Sequence, residues 1–163
     1  MPIDCAFYGC SSLTSITIPN SVTGIGSRAF YGCSSLTDIT IPNSVTSIWD
    51  SAFSNCSSLT SVIIPDSVEY IDYLVFGGCS NLTSITIGKG VTSIRRYTFY
   101  NCSKLTTVYY KGSAQEWNNI SISSEDNGNE CLTSATRYYY SESKPTNSGN
   151  YWHYVDGVPT VWK

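Results

Sequence analysis

The feature that most constrains this chain is a repeat with a period of 23 residues. Phenylalanine, cysteine and leucine each return at that interval through the first two thirds of the sequence, and we number the units 1 to 5 by their phenylalanines. The repeated residues are Phe7, Phe30, Phe53, Phe76 and Phe99; Cys10, Cys33, Cys56, Cys79 and Cys102; and Leu13, Leu36, Leu59, Leu82 and Leu105. A chain with such a period folds as a stack of similar units, each of which contacts its neighbours. A stack of this kind displays a surface and rarely encloses a catalytic pocket, which favours binding over catalysis.

Each unit is predicted to contain one longer strand and one brief strand. In unit 2, Ile39 and Ile41 lie two positions apart, so both side chains turn toward the same side of a strand. Pro42 then ends the strand because it lacks the N–H that a sheet requires. Val45 and Ile48 form a second inward-facing pair, in a fragment too short for more than a brief strand. The segments predicted to form one parallel sheet are residues 13–18, 36–41, 59–64, 82–87 and 105–110.

A compact segment links each brief strand to the next long one. Phe30 and Cys33 lie three residues apart, which would place both on one face of a single helical or 3₁₀ turn. Ser27 and Asp50 begin two of these segments and are good helix N-caps. Together with the period, the Leu-x-x-Ile-x-Ile core is typical of a leucine-rich-repeat solenoid. The predicted fold is therefore an α/β leucine-rich-repeat solenoid with five 23-residue repeats, a parallel β-sheet, short helical or 3₁₀ turns, and a β-rich carboxy-terminal cap and hairpin.

The sequence from Ala29 to Ile48 reads A-F-Y-G-C-S-S-L-T-D-I-T-I-P-N-S-V-T-S-I, and the same pattern returns from Ala52 to Ile71. Over residues 3–112 it is similar to the BspA-type leucine-rich repeats of bacterial surface proteins. The resemblance implies a non-enzymatic adhesion or recognition module, secreted or on the cell surface, that binds protein or glycan partners, including host-derived ones. Because Met1 leads directly into the middle of a repeat, we expect the chain to be the carboxy-terminal part of a longer protein.

After Gly112 the regular period is lost. The predicted elements are a short amphipathic helix over 114–117, a last strand-like rung over 120–122, a polar loop over 123–130 and a β-rich run over 132–140. Asp156-Gly157 lies between two β-prone runs, which is a strong signal for a type I′ hairpin. The predicted organisation is a solenoid over residues 1–112, a carboxy-terminal cap over 113–140, and a connector with an aromatic β-hairpin tail over 141–163.

The outward-facing positions of the predicted sheet are the main candidate binding site. They are positions 2, 3 and 5 of each strand: Thr14, Ser15, Thr17, Thr37, Asp38, Thr40, Thr60, Ser61, Ile63, Thr83, Ser84, Thr86, Thr106, Thr107 and Tyr109. Two interpretations stay open. Threonine suits an exposed parallel sheet through its β propensity and cross-strand pairing. Alternatively, the face binds partners through multivalent display, and Asp38, Ile63 and Tyr109 give it selectivity.

The tail offers a second candidate site in Tyr151, Trp152, Tyr154 and Trp162. These aromatic residues loosely resemble the aromatic repeats with which some bacterial proteins bind cell-wall choline or glucan, although only one copy is present here. The alternative function is therefore a structural spacer with a carbohydrate- or cell-wall-binding tail, accessory to an upstream domain. In the plainer interpretation, the tail covers the last edge of the sheet.

The five repeated cysteines, which we call the cysteine ladder, are predicted to be free, buried thiols and not a metal site or a disulfide framework. Five of the seven occur once per repeat, so they stack in a row in which parallel side chains do not suit a bridge. There is no C-x-x-C pair, and His153 is the only histidine, without an acidic neighbour at a useful spacing. The sequence therefore predicts no catalytic residues, no metal ligands and no cofactor.

Charge and hydropathy exclude two further classes of partner. Charged residues make up 13% of the chain and the net charge is −3, whereas nucleic-acid binding needs clustered Lys and Arg. No apolar run approaches the roughly 18 residues of a membrane-spanning helix, so membrane insertion is not expected. The oligomeric state is not predicted.

Overall fold

The computed structural model describes residues 4–123 and 128–163, in which the units stack and contribute strands to two sheets. The short-strand sheet contains β1 Gly24–Ile25, β2 Ser47–Ile48, β4 Tyr70–Ile71, β6 Ser93–Ile94 and β8 Ser121–Ile122. The long-strand sheet contains β3 Ser61–Ile64, β5 Ser84–Ile87, β7 Thr107–Tyr110, β9 Thr136–Tyr140, β10 Tyr151–Val155 and β11 Val158–Val161. The helices are α1 Ala114–Trp117 and α2 Glu130–Ser134.

The predicted parallel pairing is confirmed. Strand β3 pairs with β5 and β5 with β7 in parallel, and the same position of each unit is opposed in register, as with Ile63 and Thr86. Units 1 and 2 contribute single parallel bridges, from Thr17 to Thr40 and from Thr40 to Ile63, and not full strands. The brief second strand of each unit also pairs in parallel with its neighbours.

The compact segments are tight turns and not the helical turns that the sequence predicts. At least one non-glycine residue in each has a positive φ, for example Arg28 at 55° and Ser51 at 55°, and a right-handed helix cannot contain that conformation. In unit 2 the backbone N–H groups of Arg28, Phe30 and Gly32 donate to carbonyls of the next unit at 2.8–2.9 Å. The turns therefore add a third set of hydrogen bonds between units, beside those of the two sheets.

Repeated apolar side chains fill the interior in rows, among them one row of phenylalanines and one of cysteines. Neighbouring phenylalanine rings lie parallel and offset, as with Phe30 and Phe53 at 5.2 Å between centroids and 1° between planes. Each buried ladder cysteine donates its S–H to the phenylalanine carbonyl 26 residues earlier, at 3.1–3.2 Å; the first of these bonds runs from Cys33 Sγ to Phe7 O. Cys33, Cys56, Cys79 and Cys102 are fully buried, and all seven cysteines are free thiols.

The carboxy-terminal cap continues the stack and then closes it. The predicted helix over 114–117 and the rung over 120–122 are confirmed, since β8 pairs in parallel with β6. The β-rich run predicted over 132–140 is wrong in its first part, because α2 occupies 130–134 and β9 begins at Thr136. Of the polar loop predicted over 123–130, residues 124–127 lie outside the described residues. Both helices of the described chain are far too short to cross a membrane.

Asn129 caps the last of the turn segments, where no further unit supplies a hydrogen-bond acceptor for Phe99. In units 1 to 4 the phenylalanine N–H donates to a backbone carbonyl of the next unit, but the N–H of Phe99 donates to Asn129 Oδ1 at 3.2 Å. The amide Nδ2 of Asn129 donates to Arg95 O at 2.8 Å and to Ser123 O at 3.0 Å. Asn129 is 3% exposed, and its Oδ1 gives the Phe99 N–H the acceptor that the next unit supplies elsewhere in the stack.

The aromatic tail forms the predicted hairpin, and it joins the long-strand sheet. Strand β10 pairs antiparallel with β11, and Asp156 and Gly157 both have positive φ, as a type I′ turn requires. Strand β10 also pairs in parallel with β9. The division at residues 112 and 140 remains a prediction, because strands from all three predicted segments share these sheets.

Candidate functional site

Most of the predicted sheet-face residues are exposed on the outer side of the long-strand sheet. Of the fifteen, eleven are exposed: Thr14, Ser15, Thr17, Thr37, Asp38, Thr40, Thr60, Ser61, Ile63, Thr83 and Thr106. Ser84, Thr107 and Tyr109 are half-buried, and Thr86 is buried with 3% exposure. The accessible part of the face therefore lies mainly on units 1 to 3.

The threonines at position 2 have a structural role that the sequence analysis did not anticipate. Thr37 Oγ1 lies 3.4 Å from Thr14 O, and Thr83 Oγ1 donates to Thr60 O at 3.1 Å. Each of these hydroxyls donates to the backbone of the preceding unit, so its single proton is already used. The position-2 row ties neighbouring units together, and positions 3 and 5 hold the side chains that are more available to a partner.

The distinctive residues of the open face are Asp38 and Ile63. Thr40 and Ile63 face each other across a parallel bridge, and Ile63 is 41% exposed among hydroxyl side chains. A shallow depression of about 770 Å³ lies beside them on units 1 and 2; it is lined by Asp38 and Thr40 together with Ser15, Thr17, Asn20 and Asn43. We call Asp38, Thr40, Ser61 and Ile63 the open-face patch. It combines one carboxylate, two hydroxyls and one exposed aliphatic side chain.

The carboxy-terminal part of the face is covered by aromatic packing. The Tyr109 ring lies 5.4 Å from the Trp152 ring and 5.8 Å from the Tyr138 ring. Burial raises the pKa of the Tyr109 phenol, and the neighbouring Tyr138 adds to the effect. Thr86 is the register partner of Tyr109, and we attribute its burial to this cluster. The expectation that Thr86 and Tyr109 stand free on the face is therefore wrong, because the tail packs there.

The four tail residues do not form one exposed surface. Trp152 is fully buried, and its Nε1–H donates to Tyr110 O at 2.9 Å, so its ring is not accessible to a sugar. Trp162 stacks on His153 with centroids 3.6 Å apart and donates to Ser141 O at 3.1 Å. The Tyr151 hydroxyl accepts from Asn147 at 2.9 Å. Tyr154, the fourth, is half-buried beside Tyr140 and Lys111.

The buried thiols are poor nucleophiles. Burial, with a smaller contribution from Cys33, raises the pKa of Cys56 to about 12, and burial likewise raises the pKa of Cys102 to about 12. The pKa of Cys79 is also raised, chiefly by burial. His153, the histidine that a Cys–His pair would need, stacks on Trp162. This arrangement favours structural thiols.

Known proteins of the same kind match most of the chain. The profile of the BspA-type leucine-rich-repeat region matches residues 4–127 in six copies, and so extends past Gly112 to include α1 and β8. A leucine-rich-repeat protein of T. pallidum is 28% identical with a TM-score of 0.67; the match covers 82% of this chain and 59% of that chain. A leucine-rich cell-surface protein of Faecalibacterium prausnitzii A2-165 is 38% identical with a TM-score of 0.70, over 74% of this chain and 32% of that chain.

This chain therefore spans about three fifths and one third of the lengths of those two proteins. No curated protein sequence matches it significantly. The family profile matches six copies over about three quarters of the chain, and the structure has the stacked repeats that the profile describes, so the family is shown. The chain belongs to the BspA-type leucine-rich-repeat family.

Proposed function

We propose that this chain is a non-enzymatic recognition module, secreted or on a bacterial cell surface, that binds a protein partner through the open-face patch. Members of the family are repeat proteins of bacterial surfaces that generally mediate protein interactions, and the F. prausnitzii protein is described as a cell-surface protein. The single observation that carries the proposal is Ile63, an exposed aliphatic side chain paired with Thr40, which together with Asp38 lines the depression.

The rigidity of the face supports binding. Backbone hydrogen bonds join each unit to its neighbours through the strands and the turns, and the position-2 threonine hydroxyls add bonds to the backbone of the preceding unit. Little side-chain or loop ordering is therefore needed when a partner docks. An apolar contact at Ile63 would supply burial, and Asp38 would favour a partner with a cationic group opposite it. Such a patch is small, so affinity would depend on repeated display of the module.

The repeat itself provides the substitutions that test the proposal. Thr17, Thr40 and Thr86 occupy the position of Ile63, and Ser15, Ser61 and Ser84 occupy the position of Asp38. The double substitution Asp38→Ser and Ile63→Thr therefore removes what is distinctive about the patch while keeping residues that the scaffold already accepts. Glu69→Thr is the matched control, because Thr23, Thr46 and Thr92 hold that position beside the short-strand sheet.

The parent protein is screened on an array of secreted animal proteins and bacterial surface proteins, and Kd values for the proteins bound are measured by biolayer interferometry. We expect the double variant to bind at least about tenfold more weakly, because an exposed aliphatic contact and a charge pair are lost together. Glu69→Thr should bind as the parent does. If the double variant keeps parental affinity for every partner, binding through the open-face patch is wrong.

A further inference from the structure

A cleft lies where the turns after the long strands meet the carboxy-terminal strands. It has a volume of about 340 Å³ and is lined by Asp66, Lys89, Lys111, Tyr140, Glu142 and Tyr154. Asp66, Lys89 and Lys111 follow β3, β5 and β7, whereas the two tyrosines belong to β9 and β10 and Glu142 follows β9. We call these six residues the junction cleft. Neither the solenoid nor the tail forms it alone.

The repeat pattern changes at this cleft. Units 1 and 2 have Pro-Asn-Ser after the long strand, with Asn20 and Asn43 at the central position. Unit 3 has Asp66 at that position and unit 4 has Lys89. Neutral amides are thus replaced by charges in the two turns of units 3 and 4 that line the cleft. The change coincides with the place where Tyr140 and Tyr154 line the same cleft as Asp66 and Lys89.

Two of the charged residues in the cleft, Asp66 and Lys111, are involved in holding the tail. Lys111 Nζ lies 3.6 Å from Asp66 Oδ2 and 5.8 Å from the centroid of the Tyr154 ring, on its face. The Asp66 carboxylate also accepts the backbone N–H of Lys89 at 3.0 Å. Burial, and to a lesser degree Asp66 and Tyr140, raise the pKa of the Tyr154 phenol. Lys111 and Asp66 therefore add a contact to β10, which its pairing with β9 and the Trp152 bond to Tyr110 O also hold.

Lys89 and Glu142 are not needed for that contact. Within residues 4–123 and 128–163, the Lys89 ammonium and the Glu142 carboxylate make no hydrogen bond and no ion pair. Lys89 acts weakly on Glu116, but that carboxylate is already held by the backbone N–H and hydroxyl of Ser113, at 2.7 and 2.8 Å. The cleft thus holds one ammonium and one carboxylate with free hydrogen-bonding capacity beside two half-buried tyrosines.

The geometry points to a binding site for a neutral saccharide in the junction cleft. Two ammonium and two carboxylate groups balance, so a simple anion would meet Asp66 and Glu142, and a simple cation would meet both lysines. A sugar hydroxyl both donates and accepts, and so bonds with either group through charge-assisted hydrogen bonds. The tyrosine rings supply an apolar face for the C–H groups of a pyranose. This site is separate from the open-face patch and does not depend on protein recognition.

Binding is tested on the full chain with three neutral probes, namely lactose, maltotriose and triacetylchitotriose, by saturation-transfer NMR and calorimetry. We expect at least one to bind with a Kd of about 1 mM, because the cleft is small and open. Binding of lactose would indicate a surface glycan as the source, and binding of triacetylchitotriose a cell-wall amino sugar. Choline chloride and inorganic phosphate are the charged comparison probes, and neither should compete.

Lys89→Ala and Glu142→Gln should each weaken sugar binding about tenfold or more, because each removes a charged hydrogen-bonding partner. The matched controls Lys144→Ala and Glu130→Gln change exposed charges outside the cleft and should bind as the parent. The Asp38→Ser/Ile63→Thr variant should also keep sugar binding, which separates the two sites. The inference is overturned if no probe sugar binds, if choline or phosphate binds in its place, or if the two cleft variants bind as tightly as the parent.

Discussion

The ladder position needs a side chain that is both small and a donor, and cysteine supplies both. Each buried thiol lies in the core and donates to the phenylalanine carbonyl of the preceding unit, as Cys56 does to Phe30 at 3.2 Å. Alanine would fill less of this space and donate nothing, and serine would bury a more strongly hydrated hydroxyl. Cysteine is therefore repeated for packing and hydrogen bonding, and its chemical reactivity is suppressed by burial.

Thiol labelling tests this role. With a pKa of about 12, only about one Cys56 thiol in ten thousand is ionised at pH 8, and the ladder thiols from Cys33 to Cys102 are also closed to solvent. We expect a disulfide reagent at pH 8 to label Cys5 and Cys10 rapidly, because both are exposed, and Cys131 more slowly. The four buried ladder thiols should react only after denaturant is added. Rapid labelling of Cys33, Cys56, Cys79 and Cys102 in the native protein would contradict their burial.

At the scale of single elements, Asn129 caps the last turn segment by accepting the Phe99 N–H, which in earlier units donates to the next unit. The substitution Asn129→Ala removes an acceptor for Phe99 N–H and two donors to backbone carbonyls in a site with 3% exposure. Arg95 O keeps the Thr98 hydroxyl at 2.7 Å, but the Phe99 N–H and the Ser123 carbonyl lose the Asn129 side chain, so we expect the free energy of unfolding to fall by about 2–4 kcal/mol, measured by urea denaturation. Asn119→Ala, at an exposed asparagine before β8, is the matched control and should change stability by less than about 0.5 kcal/mol. A similar small change for Asn129→Ala would show that it is not the cap.

The elements that follow from periodicity could be predicted, and those that depend on unusual backbone or on distant packing could not. The alternation around Ile39 and Ile41 sets which side of the chain is inward, so the parallel stack and its outer face follow from the sequence. The turn conformation did not follow, because Ser51 and Leu74 adopt positive φ with no glycine to signal it. The burial of Trp152 depends on Tyr109 and other residues far away in sequence, and one aromatic copy has no internal repeat to compare with.

At the scale of the whole molecule, the tail closes the long-strand sheet and divides its surface. By docking on β9 it covers the end of the outer face around Thr86 and Tyr109, and it leaves units 1 to 3 open. The same docking brings Tyr154 to the charged turns and creates the junction cleft. The pairing of β10 with β9 therefore creates one of the two proposed sites, the junction cleft, and sets the boundary of the other, the open-face patch.

Removal of the tail should consequently act locally. Deleting residues 145–163 exposes Tyr109 and leaves β9 as an edge, whereas in a repeat stack each unit depends chiefly on its neighbours. We expect the repeats to stay folded, with hydrogen exchange faster in β7 and β9 and unchanged in the backbone of units 2 and 3. Full-length Trp152→Ala should show the same pattern and lower the free energy of unfolding by about 3–5 kcal/mol, because a fully buried ring is lost. If hydrogen exchange became equally faster in every unit, the stack would unfold as one cooperative body. The tail would then influence the open-face patch from a distance, and the expectation of a local effect would be wrong.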